Sequence, residues 1–334
     1  MTNWDAIGTN WNEQETANAI RNLLPKWGFP IESSLSLLSL SENAVFLVES
    51  PLDNTRLILR VHFQGYNTPA EIDAELTWLC AIIAETDLET VKPVPTLRGV
   101  LRNTLADGRS IVGFEYINGV PLDSGDDLRP TMEKLGVMIA KLHLHSKKWC
   151  PPEDFQRKRW DFKNCLGEHA IFGDWRKSVG LSTNGYKMMT KAVTMLEKRL
   201  LSWGTGVDRF GLIHGDAKSA NLLIGSTGPI LLDFDDCGFG WYLYDFGCAA
   251  TDLNTVEDID ICITAWVKGY RSVSPLSQRE EQMLPTFVLL RRIMAMSWAA
   301  SHTYSTVAMR DYGVTYTELT LDCVTELLSR GVTQ

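Results

Sequence analysis

The chain has 334 residues and no surplus of positive charge: 32 Lys+Arg stand against 41 Asp+Glu, a formal charge of −9 at pH 7. A general nucleic-acid binder needs basic surface to neutralise phosphates, so that class is set aside. An anionic substrate or cofactor would have to meet positive charge gathered locally. Cysteine is sparse and unpatterned. The seven, at positions 80, 150, 165, 237, 248, 262 and 323, are odd in number and contain no Cys-x-x-Cys pair. This argues against a disulfide framework and a zinc site, and predicts reduced thiols buried as small hydrophobes in a reducing compartment. His143 and His145 are two apart, so a helix would send them to different faces and no metal pair results. No long uncharged apolar run occurs; the best window, Met283 to Ala300, is broken by Arg291 and Arg292. The start, Met1-Thr-Asn-Trp-Asp-Ala6, lacks the basic opening and apolar stretch of a signal peptide. The expectation is a cytoplasmic protein without a membrane segment. There is also no Gly-x-x-x-x-Gly-Lys-Ser/Thr, which excludes a P-loop enzyme, and Gly204-Thr-Gly206 lacks both a third glycine and a preceding strand.

What is present is an ordinary globular composition, 45% apolar and 22% charged, with 11 Trp and 10 Met to bury. The first 25 residues read as helix, with Pro25 to Pro30 as a breaker. Ser34–Leu40, Ala44–Ser50 and Arg56–Phe63 read as strands, the last two joined by the turn Pro51-Leu-Asp-Asn-Thr55. Pro69 opens a helix through Ala84, with Ile72, Leu76, Leu79, Ile82 and Ile83 at helical spacing. Arg109 to Ile117 reads as a strand stopped by Asn118-Gly119. The character then changes. Thr131–Trp149 and Tyr186–Trp203 are amphipathic helices, Asn221–Leu232 holds a small hairpin around Gly225-Ser-Thr-Gly228, and the pattern is helical from Tyr242 onward. Strands with one helix, a short hinge, then helices around one hairpin make an α+β fold rather than alternating βαβ.

The sharpest feature is His214-Gly-Asp216-Ala-Lys218-Ser-Ala-Asn221, with Asp233-Phe-Asp-Asp236 beginning 12 residues later. An Asp, an Asn five positions on and an Asp across a hairpin suit phosphoryl transfer. A carboxylate must orient the acceptor hydroxyl and take its proton late. Oxygen ligands must hold Mg²⁺ against nucleotide phosphates, since that hard ion takes few protein ligands. On this reading Asp216 is the catalytic base, and Asn221 and Asp233 are metal ligands. His214 props the loop by hydrogen bonds, and Lys218 reaches the transferred phosphate.

The motif His-Gly-Asp-x-x-x-x-Asn, then Leu-Leu-Asp-Phe-Asp235, then Gly238-Phe-Gly-Trp-Tyr-Leu-Tyr-Asp245 resembles the aminoglycoside phosphotransferase and choline kinase group, the protein-kinase-like small-molecule kinases. The resemblance covers about residues 30 to 310 and is strongest over 212 to 247. Protein kinases carry Arg at the place of Gly215 and Gly at the place of Asp235; Lys218 is a more protein-kinase-like touch. The resemblance implies a two-lobed protein-kinase-like fold: a nucleotide-binding lobe over 1–113, a hinge over 114–120, and a helical lobe over 121–334. It implies ATP and Mg²⁺ as cofactors, and Asp245 as a structural tie between the following helix and the catalytic loop. A phosphate-covering hairpin would span Leu38 to Val48. It lacks the Gly-rich pattern, so Ser39, Ser41 and Asn43 would approach the phosphates. Arg60 stands where Lys is usual, keeping fixed charge and a fork for phosphate. Its partner is Glu75 or, one turn earlier, Glu71. Glu115 and Ile117 fall in the hinge Phe114–Ile117, whose backbone would read the adenine edge.

The expected activity is transfer of the γ-phosphate of ATP, with GTP as an alternative, to a hydroxyl of a small polar, amine-bearing molecule. Aminoglycoside-like, choline- or ethanolamine-like, homoserine-like and natural-product acceptors all stay open, and no acceptor-site residue is named. Two rivals are a protein Ser/Thr kinase of the bacterial stress-response type, favoured by Lys218, and a non-catalytic nucleotide-binding relative, suggested by Arg60 and the missing Gly-rich loop. Against the first, Asp245 comes only nine positions after Asp236. Against the second, Asp216, Asn221 and Asp233 are all present. Asp235 and Asp236 read as supporting or surface acids, and the stretch Trp160 to Trp175 as core or as a pocket wall.

Overall fold

Apolar alternation decides the first half. The computed structural model describes residues 11–121, 127–226, 228–303 and 305–329. In it β1 (Ser34–Leu40), β2 (Asn43–Glu49) and β3 (Arg56–His62) form an antiparallel meander. β6 (Ser110–Glu115) adds beyond β3, and β4 (Pro93–Val94) and β5 (Arg102–Thr104) pair along β6. These three leading strands fall within a residue of their expected bounds. Arg60 pairs with Val45 on one side and Val112 on the other, so it sits on a central strand rather than an edge.

One face of the sheet, with Phe46, Val48, Leu59, Val61 and Ile111, packs on Ile20, Leu24 and Trp27. Ile20 belongs to α1 (Glu13–Arg21), capped by Asn12. Residues 1–10 of the expected helix lie outside the described residues; the described part ends at Arg21, ahead of Pro25, and a 3-10 turn follows over Leu24–Trp27, closed by Gly28 at φ 81°. The other face, through Val112 and Phe114, joins α2 (Pro69–Glu85), whose Ile72, Leu76, Trp78 and Leu79 are buried in the larger core. α2 begins where a capping box between Thr68 and Glu71 meets Pro69 in the first turn.

Beyond Glu115 the chain leaves this sheet, and β7 (Val120–Pro121) pairs with β10 (Leu222–Ile224), which in turn pairs with β11 (Pro229–Leu231). Thr227 of the expected turn lies outside the described residues. A second three-stranded sheet runs β8 (Lys158–Trp160), β12 (Gly238–Trp241), β9 (Phe210–Ile213), with β8 parallel to β12. Around these small sheets stand α3 (Leu128–Ser146), α4 (Thr183–Trp203), α5 (Tyr244–Ala249), α6 (Val256–Arg271), α7 (Leu284–Ser301), α8 (Thr306–Tyr312) and α9 (Val314–Ser329). α3 and α6 cross with backbones almost touching: a Cβ on Gly269 would lie 1.8 Å from Glu133 O, and one on Gly136 2.2 Å from Trp266 O.

Trp160 and Trp175 are core residues, 0% and 1% exposed. Five cysteines are buried as expected, but Cys80 and Cys150 are exposed, and all seven are free thiols. Among the described residues no helix is long and apolar enough to cross a membrane.

Candidate active site

The loop after β9 is hung from one buried carboxylate. Asp245, at the start of α5, accepts the backbone N–H of His214 at 3.0 Å and of Gly215 at 2.8 Å. His143 of α3 braces it, with Nε2 3.1 Å from Asp245 Oδ2 and Nδ1 3.0 Å from the Tyr270 hydroxyl. The expected tie is thus three residues deep, and His143 is more than an ordinary helix residue. His214 is fully buried; its Nε2 lies 2.9 Å from Leu232 O and its Nδ1 accepts the Asp216 N–H at 3.2 Å. Burial pushes its imidazole below the ordinary value, which keeps it neutral and able to serve both bonds. The ring fastens the Asp216 loop to the far strand of the hairpin. Gly215, at φ 82°, has no room for a side chain: a Cβ would meet Asp236 O at 2.5 Å. An arginine of the protein-kinase kind does not fit there.

Three groups surround the Asp216 carboxylate. Arg291 Nη2 holds Oδ1, Lys218 Nζ lies 3.1 Å from Oδ2, and Asn221 Nδ2 donates to Oδ2 at 2.7 Å. Burial alone would raise this carboxyl, but the Lys218 and Arg291 cations outweigh it and hold it below the usual carboxylate range. Asn221 also donates to Asp216 O at 2.9 Å. Its amide nitrogen is therefore committed, and its oxygen is the atom left for a cation. Lys218 sits against the carboxylate at the mouth of the loop.

Asp233 follows β11 in the left-handed region, at φ 56° and ψ 76°, a conformation unusual outside glycine. Its Oδ1 meets Arg60 Nη1 at 3.3 Å and the Asp235 N–H at 3.4 Å, while 46% of the side chain stays exposed to the cleft. Lost hydration at the cleft floor and the nearby Asp235 push it up to about 7, with Asp216 and Glu75 adding to the crowding. A cation relieves such a crowd, so the residues fit a divalent metal. Among the described residues no three His, Cys, Asp or Glu side chains converge on one point. One carboxylate and one amide oxygen make the sparse pair suited to an ion whose other ligands are phosphates and water.

Arg60 and Glu75 settle the open pairing. Arg60 Nη2 lies 2.7 Å from both oxygens of Glu75, whereas Glu71 is spent on capping α2. Arg60 Nε reaches His62 at 3.2 Å. Ser41 lies exposed on the β1–β2 turn, its N–H donating to Asn43 O at 3.0 Å. Asn43 is 7% exposed and turns its amide to Asp235 Oδ2 at 2.9 Å, away from the expected approach to phosphates. Glu115 spends its N–H on Lys92 O at 2.9 Å, and Ile117 lies beyond the strand end. Asp235 is buried and Asp236 nearly so. Asn43 and Asn67 hold the first, Tyr66 and Lys158 the second, so neither is a surface acid. A groove of about 780 Å³ beside Lys191, Arg199 and Arg279 shares no residue with this site.

Sequence reasoning missed Arg291, Asn67, Arg157 and Lys158. For Arg291 a signal existed: a charge in the middle of the chain's most apolar window has to be paired if the window is buried. The other three carried none, because their partners are more than 70 residues away in sequence.

The model of the phosphotransferase enzyme family matches residues 35–281. A solved structure of a microcompartment-associated aminopropanol kinase is 37% identical, covers 94% of this chain and 98% of its own, and superposes with a TM-score of 0.86. An amicoumacin kinase from Bacillus subtilis (strain 168) is 22% identical over 283 residues, 80% of each chain. The amicoumacin kinase hAmiN, in complex with AMP-PNP, Ca²⁺ and Ami, shares the fold at a TM-score of 0.78 and 17% identity, covering 98% of this chain and 97% of its own.

Proposed function

This chain belongs to the phosphotransferase enzyme family, and from that premise we propose that it moves the γ-phosphate of ATP, with Mg²⁺, to the hydroxyl of a small amino alcohol. It is a kinase with the two-lobed protein-kinase-like architecture, and its chemistry uses a nucleotide and a divalent metal. The observation that carries the acceptor class is the 37% identity to an aminopropanol kinase along nearly the whole of both chains. The lobes of the proposal are 1–113 and 121–334, joined by a hinge over 114–120.

Asp216 is the base. Held ionised by Lys218 and Arg291, it accepts a hydrogen bond from the acceptor hydroxyl, fixes its direction of attack and takes the proton as the new O–P bond forms. Lys218 offsets charge on the transferred group. Arg60, fixed by Glu75, offers its remaining guanidinium N–H to the nucleotide phosphates, and Ser41 offers its hydroxyl from above. Asn221 Oδ1 and Asp233 would hold Mg²⁺, which supplies charge neutralisation for the phosphates when bound. His214 and Asp245 position the loop. Backbone groups of Glu115 and Ile117 would face the adenine edge.

The protein-kinase alternative meets two obstacles. Gly215 excludes the arginine, and residues 238–241 between the Asp233 loop and α5 are folded into β12 rather than free as an activation segment. The test is ADP release with ATP and Mg²⁺ against 1-amino-2-propanol, ethanolamine, choline, sugars and a generic protein substrate. Release with amino alcohols and none with protein is expected; release with protein alone overturns the reading.

A further inference from the structure

Glu42 is the one acid on the turn expected to cover the nucleotide phosphates, between Ser41 and Asn43. A carboxylate facing phosphates would repel them. Glu42 instead reaches across the cleft to α7: its Oε1 accepts the Trp298 indole N–H and lies 3.9 Å from His302 Nε2. The carboxylate is only 17% exposed, and among the described residues no lysine or arginine forms an ion pair with it. A largely enclosed carboxylate hydrogen-bonded by one indole, with an imidazole nitrogen 3.9 Å off, is still short of counter-charge.

What lies beside it is the acceptor side of the base. Arg291, which holds Asp216, and Trp298 are seven residues apart on α7, two turns along one face. They are separated by roughly 10 Å of helix axis. Tyr312 meets the Trp298 ring edge-on at 5.9 Å and donates its hydroxyl to Asp252 at 3.1 Å, and Asp252 in turn accepts from Ser219 of the Asp216 loop at 3.0 Å, so contacts link that loop to the Trp298 side of α7. A short molecule with its hydroxyl at Asp216 would extend along α7 toward Trp298 and Glu42.

We infer that Glu42, backed by Trp298, is a specificity-determining residue that receives the acceptor's ammonium group and so ties acceptor choice to the turn over the nucleotide. The inference rests on the phosphotransfer reading above, and deepens it: the phosphate-covering turn itself contributes an acceptor ligand. The carboxylate selects amines over neutral alcohols, and the Trp298 ring adds an aromatic surface that favours cations.

The test uses the full chain loaded with AMP-PNP and Mg²⁺, titrated calorimetrically with 1-amino-2-propanol, ethanolamine and choline, and with the neutral 1,2-propanediol as control. Glu42→Gln keeps an acceptor for the indole N–H, and its melting temperature checks the fold. Binding of the preferred amine is expected to weaken about tenfold or more in Glu42→Gln, the loss of one charged hydrogen bond. Affinity for AMP-PNP stays within about twofold and diol binding does not change. Trp298→Phe weakens the amine by a smaller factor. An unchanged preference for amine over diol in Glu42→Gln overturns the inference. So does a variant in which nucleotide affinity alone falls, or a wild type that does not prefer amines. Turnover is read separately: a wild type that binds amines but phosphorylates no hydroxyl overturns phosphotransfer and leaves the role of Glu42 in amine binding standing.

Discussion

Arg291 and Arg292 are 5% and 0% exposed in the middle of an otherwise apolar helix, a placement that is costly unless each charge is answered. Arg291 is answered by Asp216 and by the Tyr244 hydroxyl, Arg292 by Thr320 and the carbonyls of Thr251 and Leu253. The same logic applies to His62 on β3. Burial, reinforced by Arg60, Arg157 and Lys158 and opposed by Asp235, holds its imidazole down to about 3 from an ordinary 6.5. The folded chain keeps it neutral while the unfolded chain takes a proton below the ordinary value. The stability it contributes is therefore present above about pH 6.5 and is lost as pH falls toward about 3. His62→Gln keeps an acceptor for Arg60 and does not titrate. Its melting temperature should fall less than that of the wild type between about pH 7.5 and pH 5 in thermal unfolding scans; parallel curves contradict this. At this scale Asp216, Asn221 and Asp233 were legible because their spacing is local or set by one hairpin, and Arg60 because it interrupts the apolar strand Leu57-Ile-Leu-Arg60-Val with Glu75 close behind on the next helix. Arg157 and Lys158 were not, because a buried cation far off in sequence looks like any surface lysine or arginine until its partner is known.

The long elements follow from apolar spacing and end signals: Pro69 and the Thr68–Glu71 box for α2, Ser182 and Gly204 for α4. β4, β5, β7, β8 and β12 have two to four residues each, too few for a period of two to register, and they are fixed by their neighbours instead. Close crossings are equally invisible beforehand. α3 and α6 approach only because Gly136 and Gly269 lack side chains, and that approach sets Tyr270 against His143, which holds Asp245. Gly269→Ala must push a methyl into Glu133 O. The expected cost is roughly 1–3 kcal/mol, the usual range for overpacking. A denaturant midpoint lowered with an unchanged slope checks it; a midpoint equal to the wild type's means the helices part freely.

Across the whole molecule an acidic chain concentrates cations where phosphates would come. Arg60, Arg157, Lys158, Lys218 and Arg291 all lie at the junction of the two halves, answered by Glu75, Asp216, Asp233, Asp235 and Asp236. The two-part plan was readable from the order of strands and helices. The junction was not, because it is built from pairs that join the first sheet to residues 157–158 and 233–236, such as Asn43 and Asn67 to Asp235 and Tyr66 to Asp236. The proposed function stakes the activity on one carboxylate at that junction. The direct measurement is steady-state ADP release by the full chain with ATP, Mg²⁺ and its best amino alcohol, in wild type and Asp216→Asn, with nucleotide affinity measured alongside. The account predicts a fall in kcat of about 10³-fold or more with nucleotide affinity within about twofold. Turnover by Asp216→Asn at the wild-type rate contradicts it.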